Sequence, residues 1–106
     1  MENTYTKMIT KEMNKLAFLL GQAKIPFEIY PYCIGEMAYF QICYPNKENC
    51  RIDAVATQFT YGGREGLIEI LDETIEGEDG DGVIGWLTAE EAFDHFKEVS
   101  KHYICE

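Results

Sequence analysis

Side chains that can do nucleophilic or metal chemistry are scarce in this sequence. They are four cysteines, two histidines and one serine, namely Cys33, Cys43, Cys50, Cys105, His95, His102 and Ser100. No CxxC, GxSxG or HExxH motif is present. The one set that could hold zinc (Cys43, Cys50, His102 and Cys105) lacks a standard zinc spacing. We therefore expect a non-enzymatic protein with no metal and no cofactor.

Two of the cysteines could meet across a hairpin. Cys43 and Cys50 flank the segment YPNKEN, which is typical of a hairpin loop, so a disulfide between them is geometrically conceivable. The first twenty residues lack the continuous apolar block of a secretory signal. We therefore expect a cytoplasmic protein with reduced cysteines.

A glycine-rich stretch, YGGREG at residues 61–66, is the candidate ligand loop. Its residues Tyr61, Gly62, Gly63 and Arg64 could cradle a phosphate, and a signalling nucleotide could stack on nearby tyrosines. A phosphate loop usually carries a Lys-Ser/Thr pair and opens a helix. Neither feature follows here, so an ordinary turn is the competing interpretation.

Charge is the feature that points most clearly to a partner. The net charge is −10, from 19 acids and 9 bases, and residues 65–106 alone hold thirteen acids against two lysines. Such a field repels nucleic acid and anionic membranes and attracts basic surfaces. We expect a protein partner with a basic surface, no direct nucleic-acid contact and no membrane.

Eight carboxylates are the candidate partner-binding residues. They are Asp72, Glu73, Glu76, Glu78, Asp79, Asp81, Glu90 and Glu91. In this hypothesis they take the place of nucleic-acid phosphates against the lysines and arginines of the partner. The competing interpretation is that residues 72–82 form a flexible loop that only keeps the protein soluble.

Both ends of the sequence carry helical patterns. Apolar residues recur at helical spacing over residues 5–23, followed by the stop signals of Gly21 and Pro26. A second helix is predicted over residues 89–103. Thr88 and Glu91 form a capping box at its start.

Strand patterns fill the middle of the chain. Alternating apolar residues predict strands at 27–34, 37–44 and 50–60. Residues 67–71 are either a fourth strand or one helical turn, and 83–86 are a short strand or a docking segment. The predicted fold is α+β, with both terminal helices on one face of an antiparallel sheet of three to four strands. All 106 residues form one domain.

Tyrosines supply an alternative contact surface. Tyr30 and Tyr32, together with Tyr39 or Tyr44, are expected on the sheet face that the helices leave open. An exposed aromatic face favours contact with a partner or with a second copy of the chain. A homodimer through this face is one further expectation.

Two runs in the sequence resemble short uncharacterised proteins encoded by phages and prophages of gut Firmicutes. They are TYGGREGLIEI at residues 60–70 and VIGWLTAEE at residues 83–91, and the resemblance extends over about residues 10–97. The chain also resembles small acidic anti-defence proteins of phages, including anti-CRISPR proteins, in size, charge and element order. The resemblance implies a phage protein in the bacterial cytoplasm. It would act either as an inhibitor of a host nucleic-acid-handling or defence protein, or as a structural or accessory component.

Overall fold

The computed structural model describes residues 4–72 and 82–103. In chain order its elements are α1 Thr4–Gln22, β1 Glu28–Ile34, β2 Met37–Tyr44, β3 Ile52–Val55, a single 3-10 turn Gly63–Glu65, β4 Ile68–Asp72, β5 Val83–Leu87 and α2 Ala89–Tyr103. The two helices and the strand at 37–44 lie where the sequence predicts them.

The strands form one antiparallel sheet in the order β1-β2-β3-β4-β5. This confirms the α+β prediction. The sheet has five strands rather than three or four because residues 83–87 pair with β4, with Ile68 opposite Leu87. Residues 67–71 therefore contribute a strand and not a helical turn. β3 ends at Val55 and not at residue 60, because the chain turns at Thr57.

Both helices pack on one face of the sheet. Ile42, Ala54 and Ile70 lie side by side on neighbouring strands of that face, and each is at most 1% exposed. The helices contribute Met13, Leu16, Leu20, Ala92, Phe96 and Val99 to the same core. Burying one large apolar side chain stabilises a fold by about 1.5–3 kcal/mol, so this layer is the main source of stability.

Polar contacts join the two helices at the start of α2. The main-chain N–H of Ala89 donates a 2.8 Å hydrogen bond to Oε1 of Glu12 in α1. One turn further along α1, Lys15 forms an ion pair with Glu90. Glu12 therefore satisfies an N–H that α2 itself cannot pair, and it fixes where α2 begins relative to α1.

Pro31 lies in β1, which is an outer strand of the sheet. The register of β1 places Pro31 opposite Phe40 of β2, and no strand of the described chain lies on its other side. Proline has no N–H to offer to a further strand, so it suits an edge.

Candidate interaction surface

The predicted acidic site lies largely outside the described residues. Its members that the structure does not describe are Glu73, Glu76, Glu78, Asp79 and Asp81. Asp72 is described and is 2% exposed, because its register beside Ile52 places it on the helix-covered face. Asp72 therefore belongs to the interior and not to an acidic contact surface.

Glu90 and Glu91 remain on the surface but already have partners within the chain. Glu90 pairs with Lys15, and this contact holds the pKa of the Glu90 carboxyl below its usual value. Glu91 accepts a 3.0 Å hydrogen bond from the N–H of Thr88, and its own N–H donates to Oγ1 of Thr88 at 3.2 Å. This confirms the capping box. Both carboxylates thus help to fix the start of α2.

The strand register shows which of the predicted tyrosines lie on the sheet face away from the helices. Tyr30 lies opposite Gln41, and Tyr32 lies opposite Tyr39, so the three tyrosines share the sheet face away from the helices. Only Tyr30, at 46%, is well exposed. Tyr39 is 3% exposed, its ring lies 6.0 Å from that of Tyr32, and its hydroxyl has no hydrogen-bond partner among the described residues. We call this side of the sheet the tyrosine face. Its exposed aromatic area is smaller than predicted, because Tyr30 alone among the three tyrosines is well exposed.

Tyr44 does not belong to that face. It lies opposite Ile52 on the helix-covered side of the sheet and is 5% exposed. Successive residues of a strand point to opposite faces of the sheet. Tyr39 and Tyr44 are five positions apart in β2, so they lie on opposite faces. Of the two alternatives Tyr39 and Tyr44, only Tyr39 therefore lies on the predicted face.

A chain of polar contacts crosses the open face beside the tyrosines. Nζ of Lys47 lies 4.6 Å from the centre of the Tyr30 ring and donates a 2.9 Å hydrogen bond to Gln41. Gln41 in turn donates to Oδ2 of Asp53 at 2.7 Å. Burial raises the pKa of the Asp53 carboxyl in spite of this hydrogen bond. Burial also raises the pKa of the Tyr32 hydroxyl, with smaller contributions from Tyr39 and nearby carboxylates.

The loop between β3 and β4 is held in one shape by two threonines. The hydroxyl of Thr60 accepts from the N–H of Thr57 at 2.9 Å and donates to its carbonyl oxygen at 3.0 Å. The hydroxyl of Thr57 accepts from the N–H of Phe59 at 3.1 Å. Thr57 is 2% exposed. These contacts end β3 and turn Phe59 outward.

Close packing explains two glycines at this loop. A Cβ atom at Gly63 would lie 1.8 Å from the carbonyl oxygen of Thr57. A Cβ atom at Gly85 in β5 would lie 2.1 Å from Cβ of Tyr61. Real Cβ atoms do not approach other atoms so closely, so only glycine allows the loop to pack on itself and against β5.

Trp86 lies at an irregularity in β5. Ile68 lies opposite Leu87 and Ile70 opposite Ile84, so Gly85 and Trp86 together face a single residue of β4. This is the geometry of a β-bulge, which re-aims side chains at sheet edges. Trp86 has a φ of 62°, a conformation that is rare for a bulky residue. Its indole is directed to the surface and is 53% exposed.

The loop and the bulge together build a surface that we call the aromatic cleft. Its aromatic side chains are Phe59, Tyr61 and Trp86, which are 71%, 46% and 53% exposed. They line a cavity of about 330 Å³ together with Gln58, Thr60, Gly62, Arg64 and Glu65. Three of the seven large, well-exposed hydrophobic side chains in residues 10–72 and 82–101 thus meet at one place.

The predicted ligand loop lies at this cleft, and two of its four N–H groups, those of Tyr61 and Gly63, are already used within the protein. A cradle needs main-chain N–H groups that are free to point at the anion. The loop residues whose N–H groups already donate within the protein are Thr60, Tyr61, Gly63, Glu65, Gly66 and Leu67. The close contacts of Gly62 and Gly63 show that these glycines also serve the packing of the loop.

Glu69 connects the aromatic cleft to the open sheet face. Its Oε2 accepts a 2.7 Å hydrogen bond from the N–H of Tyr61, and it lies opposite Val55 on the face that carries Tyr32. The cleft and the tyrosine face are therefore parts of one continuous surface. It holds the carboxylates of Asp53 and Glu69.

The sequence interpretation did not include Phe59 and Trp86 among the candidates. The available signal was the pair Gly85-Trp86 inside an apolar strand, since a glycine there often marks a bulge or a close backbone approach. Phe59 carried no such signal. It fell within the predicted third strand, where it would have alternated with its neighbours.

The two hairpin cysteines lie together as predicted, as free thiols. Cys43 is buried, Cys50 is half-buried, and their side chains are hydrogen-bonded to each other. Burial raises the pKa of both thiols, that of Cys50 to about 12. Thiols that stay protonated are poor nucleophiles.

Comparison of the chain with protein-family models, with curated proteins and with solved structures finds no match. Within residues 4–72 and 82–103, no helix is long and apolar enough to cross a membrane. In the same part of the chain, no three metal-ligating side chains converge.

Proposed function

We propose that this chain is a non-enzymatic binding protein that recognises a basic protein surface through its aromatic cleft. In the setting that the phage resemblance implies, the partner is a nucleic-acid-handling or defence protein of the host cytoplasm. The observation that carries the proposal is the convergence of Phe59, Tyr61 and Trp86, all well exposed, on one cavity.

Three aromatic side chains at one exposed site suit a binding hot spot. A buried aromatic residue removes about 150–250 Å² from water, and tryptophan and tyrosine are enriched among residues that dominate binding energy. Contiguous apolar patches on a monomer commonly mark an interaction site.

The rigidity of the cleft supports the same conclusion. Thr57, Thr60 and two tightly packed glycines fix the loop, and the N–H of Trp86 is bonded to the carbonyl oxygen of Tyr61. Ordering flexible loops and side chains on binding costs free energy. A loop that is already ordered avoids part of that cost.

Charge selects the kind of partner. The protein carries a net charge of −10, and the sheet face next to the cleft holds Asp53 and Glu69. A basic partner is attracted over long range, which raises the association rate and favours it over acidic competitors. The same charge opposes self-association, since two copies repel each other. A partner of opposite charge therefore fits better than a second copy.

The proposal can be tested by capture from a bacterial lysate with matched variants. Phe59→Ser removes an exposed ring from the cleft, and Phe18→Ser removes one that is 63% exposed on α1. We expect the wild type and Phe18→Ser to retain one or more basic proteins that Phe59→Ser does not retain. High salt should release these proteins. Equal retention by all three proteins would place the contact elsewhere.

A further inference from the structure

A second cavity lies apart from the aromatic cleft. It has a volume of about 560 Å³ and lies where the connection from α1 to β1, the β2–β3 hairpin and α2 meet. It shares no lining residue with the aromatic cleft. Cavities of about 300–1,000 Å³ are typical of small-molecule sites.

Positive charge is concentrated around this cavity. Lys24, Arg51, Lys97 and Lys101 line it, which is four of the nine basic residues of the chain. No carboxylate is among the described residues that line it, although acids outnumber bases 19 to 9 in the sequence. Chance placement of charges would favour acids at any surface of this protein.

The floor of the cavity is apolar. It is formed by Ile25 and Pro26 before β1 and by Tyr44 and Pro45 at the end of β2. Tyr44 and Ile25 are buried beneath the surface, so the accessible apolar area is that of Pro26 and Pro45, whose rings are flat enough for an aromatic ring to lie on. The cavity thus combines an apolar floor with a cationic rim.

We propose that this cavity binds a small organic phosphate, with a flat apolar body on Pro26 and Pro45 and its phosphate between the lysines and Arg51. Arginine and lysine are the side chains that recognise phosphate, arginine through paired hydrogen bonds and lysine as a point charge. This site is independent of the aromatic cleft and of the protein partner proposed for it.

The two lysines of α2 can turn to such a ligand at little cost. Lys97 pairs with Asp94 and Lys101 with Glu98, each at 3.2 Å, within exposed turns of the helix, and Nζ of Lys97 also lies 4.9 Å from the centre of the Phe93 ring. Ion pairs of this kind are weak and are screened by salt.

A competing explanation for the positive charge is the position of the helix ends. Lys24 follows α1, and Lys101 lies close to the end of α2. Cations are favourable near helix C-termini whether or not a ligand binds. Only a ligand measurement separates the two explanations.

The proposal can be tested by calorimetric titration of the protein with 1-naphthyl phosphate at low salt. Two control ligands, 1-naphthol and inorganic phosphate, represent the apolar part and the anionic part of this ester. We expect the ester to bind roughly tenfold or more tightly than either half. Binding should weaken as salt rises, because the rim is exposed. An equal affinity for naphthol would show an apolar site only, and no binding of the ester would show that the cations merely complement the helix ends. Either result overturns the proposal.

Variants locate the site. Arg51→Gln and Lys101→Gln each remove one cation from the rim, and Lys11→Gln removes one from an exposed position on α1 that does not line the cavity. We expect the first two to weaken the ester several-fold and Lys11→Gln to leave it unchanged, with circular dichroism confirming the fold of each. Equal affinities for all three variants would contradict the proposal. Loss of ester binding would leave capture of the protein partner unaffected, so the two proposals fail separately.

Discussion

The main-chain N–H of Trp86 donates a 3.1 Å hydrogen bond to the carbonyl oxygen of Tyr61. Two exposed aromatic residues, 25 positions apart in the sequence, are thereby fixed to each other through their backbones. Trp86 makes this bond in a left-handed conformation, which costs about 1–2 kcal/mol for a residue other than glycine. Such local cost is typical of functional positions, where the surrounding fold holds the residue in place.

Gly63→Ala should damage the loop that carries the cleft. The new Cβ would lie 1.8 Å from the carbonyl oxygen of Thr57, so the loop or β3 must move. We expect a loss of about 2–4 kcal/mol in the free energy of unfolding, measured with urea. Gly21→Ala is the control, since nothing lies within 4 Å of its Cβ position in α1. It should stabilise the protein by up to about 1 kcal/mol. Equal effects of the two substitutions would contradict the loop geometry.

Glu12→Ala should loosen the junction of the two helices. It removes the acceptor for the N–H of Ala89, a contact of the kind that an N-cap provides. Loss of such a contact costs about 0.5–2 kcal/mol. Glu48→Ala in the exposed β2–β3 loop removes the same charge without this bond, and we expect a change within about 0.5 kcal/mol. Urea unfolding compares the two, and a Glu12→Ala protein as stable as the control would show that the cap is dispensable.

The position of these features shows what local sequence could and could not predict. The capping box at Thr88 and Glu91 and the alternation over residues 37–44 are local signals, and both elements form as predicted. The cleft depends on Gly85 approaching Tyr61, a contact between distant segments that no periodicity encodes. The basic cavity likewise joins Lys24, Arg51 and α2, which come from three separate parts of the chain. The net charge of each part taken alone does not show that these cations lie together.

Asp53→Asn should stabilise the protein at neutral pH. Burial raises the pKa of this carboxyl, so the folded state disfavours its ionised form. That penalty is present above the raised folded pKa, and it disappears as the pH falls below the unfolded value of about 3.9, where both states are protonated. Asn keeps one oxygen that can accept from Gln41 but loses the second acceptor, which now serves the N–H of Leu71, so the gain at pH 7 should be smaller than the full burial penalty. Urea unfolding from pH 7 to about pH 3 should show the two proteins converging as the pH falls. A gap that widens at low pH would contradict the assignment.

Cys50 should react slowly with alkylating reagents. Its pKa of about 12 leaves almost no thiolate at pH 8, and Cys43 is buried beside it. Cys33 is exposed in β1 and serves as the internal reference. Iodoacetamide labelling followed by peptide mass spectrometry should modify Cys33 first and Cys50 much later. Modification of Cys50 at the rate of Cys33 would show that the thiol pair is open to solvent.

The single tryptophan of the chain allows the most direct test of the aromatic cleft. Protein labelled with 5-fluorotryptophan carries its only ¹⁹F signal at Trp86, which is 53% exposed in the free protein. The basic protein retained by the wild type and lost by Phe59→Ser is purified and added to saturation. We predict that the ¹⁹F resonance shifts and broadens as the partner covers the indole, and that high salt restores it. A resonance that stays unchanged while the partner is fully bound would show that recognition takes place away from the cleft.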